Sequence, residues 1–253
     1  MRAVLILGGT AEARRVAEIL GQRRLTQPSA PEPVLSLLGL TAAAAPPGVT
    51  LRRGGFGGPA GLAAEIQRLG AGAVIDATHP FAAQMPRRAR EAAAAVDAPL
   101  LRLERPAWRP RLGEPWISAA SLAHAAALIP PGARLFLAVG PGGAAPFRVR
   151  ADRWCALRRA EASDAPFPLP HGRWVVGSPG DQASERALFS TLRVSGLVVK
   201  NSGGDRAKLD VAQDLGLTVW MIQRPARPPG GERAATVEEA LVWLDALRAQ
   251  GQF

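Results

Sequence analysis

The sequence predicts an α/β protein built from two parallel-sheet units, and three observations lead to this prediction. Short apolar runs alternate with helical stretches along most of the chain, a pattern typical of parallel sheets that helices cover on both faces. Residues 104–116, with three prolines and two tryptophans, interrupt this alternation near the middle. The 253 residues, of which 47% are hydrophobic, are enough for two cores.

The first half of the chain supplies one complete set of alternating elements. We predict strands at residues 3–7, 34–38, 73–76 and 100–103, and helices at residues 12–24, 62–69 and 82–96. The first of these helices carries Val16, Ile19 and Leu20 on one face, as an amphipathic helix should. We therefore predict an N-terminal domain at residues 1–104.

The second half repeats the pattern. We predict strands at residues 134–139, 174–176, 197–200 and 218–222, and helices at residues 121–129, 182–192, 206–215 and 237–248. Thr236 and Glu239 form the capping-box spacing at the start of the last helix. The predicted second domain is residues 105–253, and the last helix could pack on either domain.

The charge indicates an anionic partner. The formal net charge is +10, and Lys200 and Lys208 are the only lysines beside many arginines. A GC-rich genome alone would also raise the arginine content. The basic residues are scattered rather than clustered, which favours small anions such as a phosphate-bearing cofactor or a polycarboxylate over nucleic acid.

Several classes of protein are excluded or disfavoured. The single Cys155 rules out an internal disulfide, and the three dispersed histidines predict no metal site. The chain lacks tyrosine and a G-x-x-x-x-G-K-[ST] loop, which excludes a tyrosine–lysine relay and a P-loop NTPase. No apolar stretch is long enough to span a bilayer, so we expect a soluble, cytoplasmic protein without a membrane partner.

Ligands of open parallel sheets bind beyond the carboxyl ends of the strands, and glycines follow the first predicted strand. Gly8, Gly9 and Thr10 stand where a dinucleotide-binding domain holds pyrophosphate. The full G-x-G-x-x-G pattern is absent because Ala13 and Arg14 occupy its later positions. Thr10 could also act only as a helix cap.

A second glycine-rich stretch, R-R-G-G-F-G-G at residues 52–58, indicates close approach to a ligand. Its glycines cost backbone entropy on folding, and arginine suits phosphate and carboxylate recognition. The alternative is a flexible surface loop.

Polar residues follow two further strands. Asp76, Thr78 and His79 come after the strand at residues 73–76, and His79 could donate a proton. Alternatively, His79 caps a helix that begins near Pro80, and Asp76 only bonds backbone N–H groups. Lys200 begins the K-N-S-G-G run of residues 200–204, where a compact cation or proton donor would suit lysine better than arginine.

Taken in order, these segments resemble the precorrin-6A reductase family of cobalamin biosynthesis, over nearly the whole chain. The matching segments are LILGGTAEARRVA (5–17), RRGGFGG (52–58), VIDATHPFAAQM (74–85), PLLRLERPAW (99–108), KNSGG (200–204) and AKLDVAQDLGL (207–217). The D-A-T-H-P-F-A and K-N-S-G-G segments are the most specific of these.

The resemblance implies two Rossmann-like domains with a cleft between them. It also implies an enzyme that reduces a double bond of a precorrin macrocycle with NADPH, with NADH as the alternative cofactor in this chain. It implies cofactor contacts at Gly8, Gly9, Thr10, Glu12, Arg52, Gly55 and Gly57. It implies substrate contacts at Asp76, Thr78, His79, Lys200, Asn201, Ser202 and Gly203, with His79 and Lys200 as catalytic candidates. The polycarboxylate macrocycle suits a basic protein.

The chain departs from the family at two places. Where the family reads S-L-A-G-R-T, Leu40 replaces the arginine, next to the expected adenosine ribose. NADH therefore stays open beside NADPH, and Arg52 or Arg53 could compensate. A family R-G-P-F appears here as residues 177–180, G-S-P-G, which weakens substrate assignments in the second domain.

Two other functions remain open at this point. A two-domain nucleotide-sugar glycosyltransferase predicts a diphosphate site in the second domain and no nicotinamide binding. A basic nucleic-acid-binding protein predicts affinity that falls steeply with salt. The sequence does not specify the oligomeric state.

Overall fold

The computed structural model describes residues 2–39, 44–149 and 151–252, and it divides the chain into two compact units. Unit 1 comprises Met1–Pro106 and Pro225–Phe253, and unit 2 comprises Ala107–Arg224. The structure therefore differs from the predicted second domain of residues 105–253, because the chain returns to unit 1 at Pro225.

Parallel strands alternate with helices as the sequence predicts. The strands are β1 (Ala3–Leu7), β2 (Glu32–Leu37), β3 (Thr50–Arg53), β4 (Ala71–Asp76), β5 (Leu100–Leu103), β6 (Trp116–Ala119), β7 (Arg134–Ala138), β8 (Trp154–Arg159), β9 (Gly172–Val176), β10 (Gly196–Lys200), β11 (Thr218–Ile222) and β12 (Glu232–Ala234). The helices are α1 (Ala11–Thr26), α2 (Pro59–Arg68), α3 (Met85–Ala95), α4 (Leu122–Leu128), α5 (Gln182–Thr191), α6 (Ala207–Asp214) and α7 (Val237–Ala249).

The two sheets have equivalent strand orders. The order in unit 1 is β3-β2-β1-β4-β5-β12, and every adjacent pair is parallel. This is the 3-2-1-4-5-6 order of a Rossmann sheet, in which ligands bind where the order reverses, between β1 and β4. Unit 2 has the order β9-β8-β7-β10-β11-β6, also parallel, with its reversal between β7 and β10. The predicted α/β fold with two parallel sheets is confirmed.

Alternate residues of β1 face the two layers of helices that cover the sheet of unit 1. Val4 and Ile6 pack in the core formed with α1 and α7, while Leu5 and Leu7 pack in the core formed with α2 and α3. All four are essentially inaccessible to solvent. Burying a side chain of this size stabilises the fold by about 1.5–3 kcal/mol, so β1 anchors both layers.

The end of the chain completes unit 1. β12 pairs with β5, with Ala234 opposite Leu103, and α7 buries Leu241 and Leu244 in the same core as α1. Thr236 caps α7 as predicted, accepting a hydrogen bond from the Glu239 N–H at 3.1 Å. The sequence left the packing of this helix open, and its leucines place it on unit 1.

Four strands were not predicted: β3, β6, β8 and β12. β3, β6 and β12 are short and largely polar or exposed, so they lack a continuous apolar run. β8 is well buried but contains Arg158, whose charge hides the strand pattern. Within the described residues, no helix is both long and apolar enough to cross a membrane.

Candidate functional site

The turn between β1 and α1 is closely packed on one side and open on the other. A Cβ atom on Gly8 would lie 2.7 Å from Leu37 Cδ2 and 2.9 Å from Leu35 Cδ1, so a larger residue would push the strands apart. Gly9 has a φ of +125°, which glycine adopts readily. No described atom beyond its chain neighbours lies within 4 Å of where its Cβ would be. The Gly9 backbone is thus accessible to a ligand.

Thr10 and Glu12 hold this turn in place. Thr10 Oγ1 accepts a hydrogen bond from the Ala13 N–H at 3.1 Å, which caps α1, and donates one to the Ala77 carbonyl at 2.8 Å. Glu12 Oε2 lies 2.9 Å from Arg105 Nη1. The side chains of Thr10 and Glu12 therefore bond within the protein, and neither residue lines the cavity beside the turn.

The Arg52 guanidinium organises the glycine-rich loop that follows β3. It donates to the carbonyls of Gly54 at 2.6 Å and Gly55 at 3.0 Å. Its Nε lies 3.2 Å from Glu65 Oε1, and its Cζ lies 3.8 Å from the centroid of the Phe56 ring. The guanidinium therefore bonds to backbone carbonyls of its own loop and to a carboxylate on α2.

Glu65 remains ionised to support this arrangement. The hydrogen bond from Arg68, together with the charges of Arg68 and Arg52, holds the pKa of the Glu65 carboxyl below its ordinary value. The loop itself needs glycine at Gly57, where φ is +74°. The R-R-G-G-F-G-G stretch is thus a loop with defined internal bonds rather than an unstructured one.

The turn after β4 is built around Asp76. Asp76 Oδ1 accepts hydrogen bonds from the Thr78 N–H at 3.1 Å and the Thr78 hydroxyl at 2.7 Å. His79 Nδ1 accepts from the Phe81 N–H at 3.2 Å, so Nδ1 is unprotonated and a neutral ring carries its proton on Nε2. His79 does not cap a helix near Pro80, because α3 begins only at Met85.

The ends of four strands of unit 1, β1 to β4, meet around one cavity of about 400 Å³. Five residues singled out in the sequence line it, and they are Gly8, Gly9, Gly55, Thr78 and His79. They follow β1, β3 and β4, so the carboxyl-end rule for parallel sheets brings them together. The structure thus groups predicted cofactor residues with two predicted substrate residues.

Other residues of this cavity had no individual role assigned from the sequence. Ser36 and Leu38 line it from the end of β2, Phe56 from the glycine-rich loop, and Met85 and Arg88 from the first turn of α3. Phe56 and Met85 lie in segments that match the family, and Ser36 and Leu38 lie in the region compared with S-L-A-G-R-T. Of these five residues, only Arg88 lies outside every quoted segment. Leu40, the departure from the family pattern, lies outside the described residues.

Asp76 also begins a chain of alternating charges. Arg102 Nη1 lies 2.8 Å from Asp76 Oδ1, and Arg102 Nη2 lies 3.0 Å from Glu104 Oε2. Glu104 in turn pairs with Arg227. All but Arg227 are largely buried, and Arg102 and Glu104 carried no assigned role in the sequence. The pairing neutralises charges that would otherwise be costly to bury.

One oxygen of Asp76 has no partner of its own. Asp76 Oδ2 is buried and makes no hydrogen bond within the described part of the chain. Asp76, Arg102 and Glu104 line a second cavity of unit 1, of about 250 Å³. A buried carboxylate oxygen without a donor is destabilising, so Asp76 Oδ2 has an unused capacity to accept a hydrogen bond.

Unit 2 holds the remaining predicted residues at the end of its central strand β10. Lys200 is half-buried, and this burial lowers the pKa of its ammonium group. The Ser202 N–H donates to the Lys200 carbonyl at 2.6 Å, and Gly203 has a φ of +71°. The run therefore turns sharply directly after Lys200.

Asn201 fixes this turn to the segment that enters unit 2. Its Oδ1 accepts from the Trp108 N–H at 2.8 Å, and its Nδ2 donates to the Trp108 carbonyl at 3.1 Å. The Trp108 indole N–H donates to the Gly204 carbonyl at 2.9 Å. Asn201 is buried, and both ends of its amide are used in this clamp. Two segments of the family resemblance are thus in direct contact.

The cavity beside Gly9 has properties suited to part of a dinucleotide. The open Gly9 backbone lies before the N-terminus of α1, which favours phosphate. Leu38 and Phe56 supply apolar surface for a ring, and Ser36 and Thr78 supply polar groups. The residues present therefore fit such a cofactor.

Comparison with known proteins gives a consistent picture. A model of the family described as precorrin-6x reductase CbiJ/CobK matches residues 3–245. A precorrin-6A reductase of Rhodococcus erythropolis is 42% identical over 251 residues, covering 98% of this chain and 99% of the relative. One of Rhodobacter capsulatus is 38% identical over 248 residues, covering 96% of each chain. A solved structure described as CobK precorrin-6A reductase superposes with a TM-score of 0.88, at 38% identity over 97% of both chains.

Proposed function

This chain belongs to the precorrin-6x reductase family, an oxidoreductase family of cobalamin biosynthesis, and we propose that it reduces one double bond of a precorrin-6A-type macrocycle with NADPH. The observation that carries the cofactor assignment is the cavity at the strand reversal of unit 1. Gly8, Gly9, Gly55, Thr78 and His79 surround it, with Gly9 open to a ligand.

We assign the predicted cofactor residues to two roles. Gly8, Gly9 and Gly55 line the cavity and allow close approach of the cofactor backbone, whereas Gly57 shapes the loop through its positive φ. The remaining three, Thr10, Glu12 and Arg52, hold the loops through bonds within the protein.

NADPH, when bound, supplies the hydride, and a proton completes the saturation of the double bond. The protein must therefore orient the macrocycle and deliver that proton. His79 bonds through Nδ1 to the Phe81 N–H, and that bond is incompatible with a proton on Nδ1. We therefore assign His79 to binding through Nε2. Lys200, whose pKa burial lowers, is the better proton donor.

We propose that substrate recognition depends on charge. A precorrin carries several carboxylate side chains, and the chain has a net charge of +10, so electrostatic attraction favours their encounter. We propose that Asp76, Thr78, Ser202 and Gly203 contribute to the substrate side. Asn201 acts indirectly, since the Trp108 backbone occupies its amide.

The test is a binding titration followed by turnover. NADPH fluorescence is recorded with the wild-type protein and with Gly9→Val, which fills the open side of the turn. Gly70→Val is the matched control, because Gly70 also has a positive φ and open space but precedes β4, at the amino end of the strands rather than the carboxyl end.

We expect the wild type and Gly70→Val to bind NADPH and Gly9→Val to lose binding while keeping its circular dichroism spectrum. Wild-type protein should then oxidise NADPH only when precorrin-6A is present, and the product should gain two hydrogens by mass. Failure of the wild type to bind NADPH or NADH would exclude the reductase function. Binding of a nucleotide sugar instead would favour a glycosyltransferase.

A further inference from the structure

The cavity of unit 1 that we assign to the cofactor has no acidic side chain among the described residues that line it. Rossmann domains that use NAD hold the ribose 2′-hydroxyl with an Asp or Glu near the end of the second strand, and those that use NADP place an arginine nearby. Here the end of β2 contributes Ser36 and Leu38 to the cavity. Among the described lining residues, no carboxylate is therefore present to hold a free 2′-hydroxyl as in NAD-dependent Rossmann domains.

Arg88 is the guanidinium that lines this cavity. It lies in the first turn of α3, and its side chain is exposed. Within the described parts of the chain, no hydrogen bond or ion pair engages that side chain. Arginine binds phosphate through several N–H donors in a fixed plane, so Arg88 is equipped for such a ligand and is not used elsewhere.

The position of Arg88 is itself unfavourable without an anion. The N-terminal turn of a helix carries a partial positive charge, and the first turn of α3 contains no acidic residue. Both Arg87 and Arg88 add positive charge there. A bound phosphate would compensate for this repulsion.

The other candidate arginines do not combine a place in the lining of the cavity with a guanidinium that is unused within the protein. The Arg52 guanidinium bonds to Gly54, Gly55 and Glu65, and Arg53 does not line the cavity. The family arginine of the S-L-A-G-R-T segment is replaced by Leu40. The positive charge for this part of the cofactor must therefore come from another element.

We propose that Arg88 binds the 2′-phosphate of the NADPH adenosine ribose and sets the preference for NADPH over NADH, in place of the arginine missing at Leu40. This inference rests on the proposed function, since it specifies how the same cavity distinguishes NADPH from NADH. It adds a specificity-determining residue on α3 that the sequence pattern does not mark.

The experiment compares Arg88→Ala with Arg87→Ala, a neighbouring arginine of the same turn that does not line the cavity. Dissociation constants for NADPH, NADH and the fragment 2′,5′-ADP are measured by titration calorimetry. Loss of a charge-assisted phosphate contact should weaken NADPH and 2′,5′-ADP by about 10- to 100-fold. NADH affinity should stay within about twofold, and Arg87→Ala should resemble the wild type.

A second variant adds charge back. Leu40→Arg in the Arg88→Ala background should restore most of the lost NADPH affinity and leave NADH unchanged. An NADPH-to-NADH affinity ratio that is the same in Arg88→Ala and wild type would overturn the inference and leave the proposed function intact. A wild-type protein that binds neither dinucleotide would overturn both.

Discussion

The side-chain amide of Asn201 brackets the peptide backbone of Trp108, accepting from its N–H at 2.8 Å and donating to its carbonyl at 3.1 Å. An asparagine amide can make this pair of bonds because its donor and acceptor lie side by side, as those of a neighbouring strand do. The clamp fastens the end of β10 to the segment that leads into unit 2, and thereby fixes the residue that directly follows Lys200.

Asn201→Leu should destabilise the protein by about 2–3 kcal/mol, because it leaves the buried N–H and carbonyl of Trp108 without partners. The free energy of unfolding is measured in urea. Ser178→Ala, at an exposed loop position of the same unit, should change it by less than about 0.5 kcal/mol. Equal effects of the two variants would show that the clamp does not stabilise this turn.

Arg52→Met should weaken NADPH and NADH alike, by about tenfold or more, because the loop carbonyls and Glu65 lose their common donor. The NADPH-to-NADH affinity ratio should not change, in contrast to Arg88→Ala. Fluorescence titration with both dinucleotides measures the ratio. A selective loss of NADPH in Arg52→Met would instead show that Arg52 contacts the 2′-phosphate directly.

Two substitutions at His79 separate the roles of its nitrogen atoms. In His79→Asn the amide oxygen can still accept from the Phe81 N–H, but no group reaches the position of Nε2, so KM for the macrocycle should rise with a small change in kcat. His79→Gln keeps a donor near Nε2 and should restore most of the KM. A fall of 100-fold or more in kcat for both variants would identify His79 as the proton donor.

Lys200 should give the reaction an alkaline limit. A general acid must be protonated, so kcat should fall as pH rises through the Lys200 pKa, which burial places below the ordinary value of about 10.4. Lys200→Met should lower kcat by about 100-fold or more, and the fall in kcat at high pH (the alkaline limb) should disappear.

Lys200→Arg is the matched control, because its guanidinium stays protonated. It should keep binding and shift the alkaline limb beyond the measured pH range. An unchanged alkaline limb in Lys200→Met would show that another group supplies the proton.

Strands that are continuous apolar runs could be predicted from the sequence. Strands that depend on residues far away in the sequence could not. β1, β4, β10 and β11 are continuous apolar runs, and each was predicted. β8 contains Arg158, whose charge is buried only because Glu185 lies 2.8 Å away on α5. β12 has three residues and exists as a strand through its pairing with β5, a contact that no local pattern encodes.

The same limit applies to the candidate site. The rule that ligands bind at strand ends was sufficient to single out Gly8, Gly9, Thr78 and His79, which follow buried strands and line one cavity. It could not show that the Arg52 guanidinium bonds to its own loop, because those partners are backbone carbonyls. Arg88 also lines this cavity, and it had no role assigned from the sequence because an arginine on a helix is usually an ordinary solvated side chain.

Because the chain returns to unit 1 at Pro225, unit 1 is completed only at the end of synthesis and depends on an intact C-terminal segment. The half that is translated first lacks its outermost strand and one of its packing helices until translation reaches residues 225–253. Unit 2, by contrast, is contiguous at Ala107–Arg224, so all of its residues are synthesised before those that complete unit 1. Removal of residues 225–253 by proteolysis would therefore disrupt unit 1, most of which comes from the start of the chain. Binding of a nucleotide analogue near Gly9 should be lost before a probe in unit 2 changes.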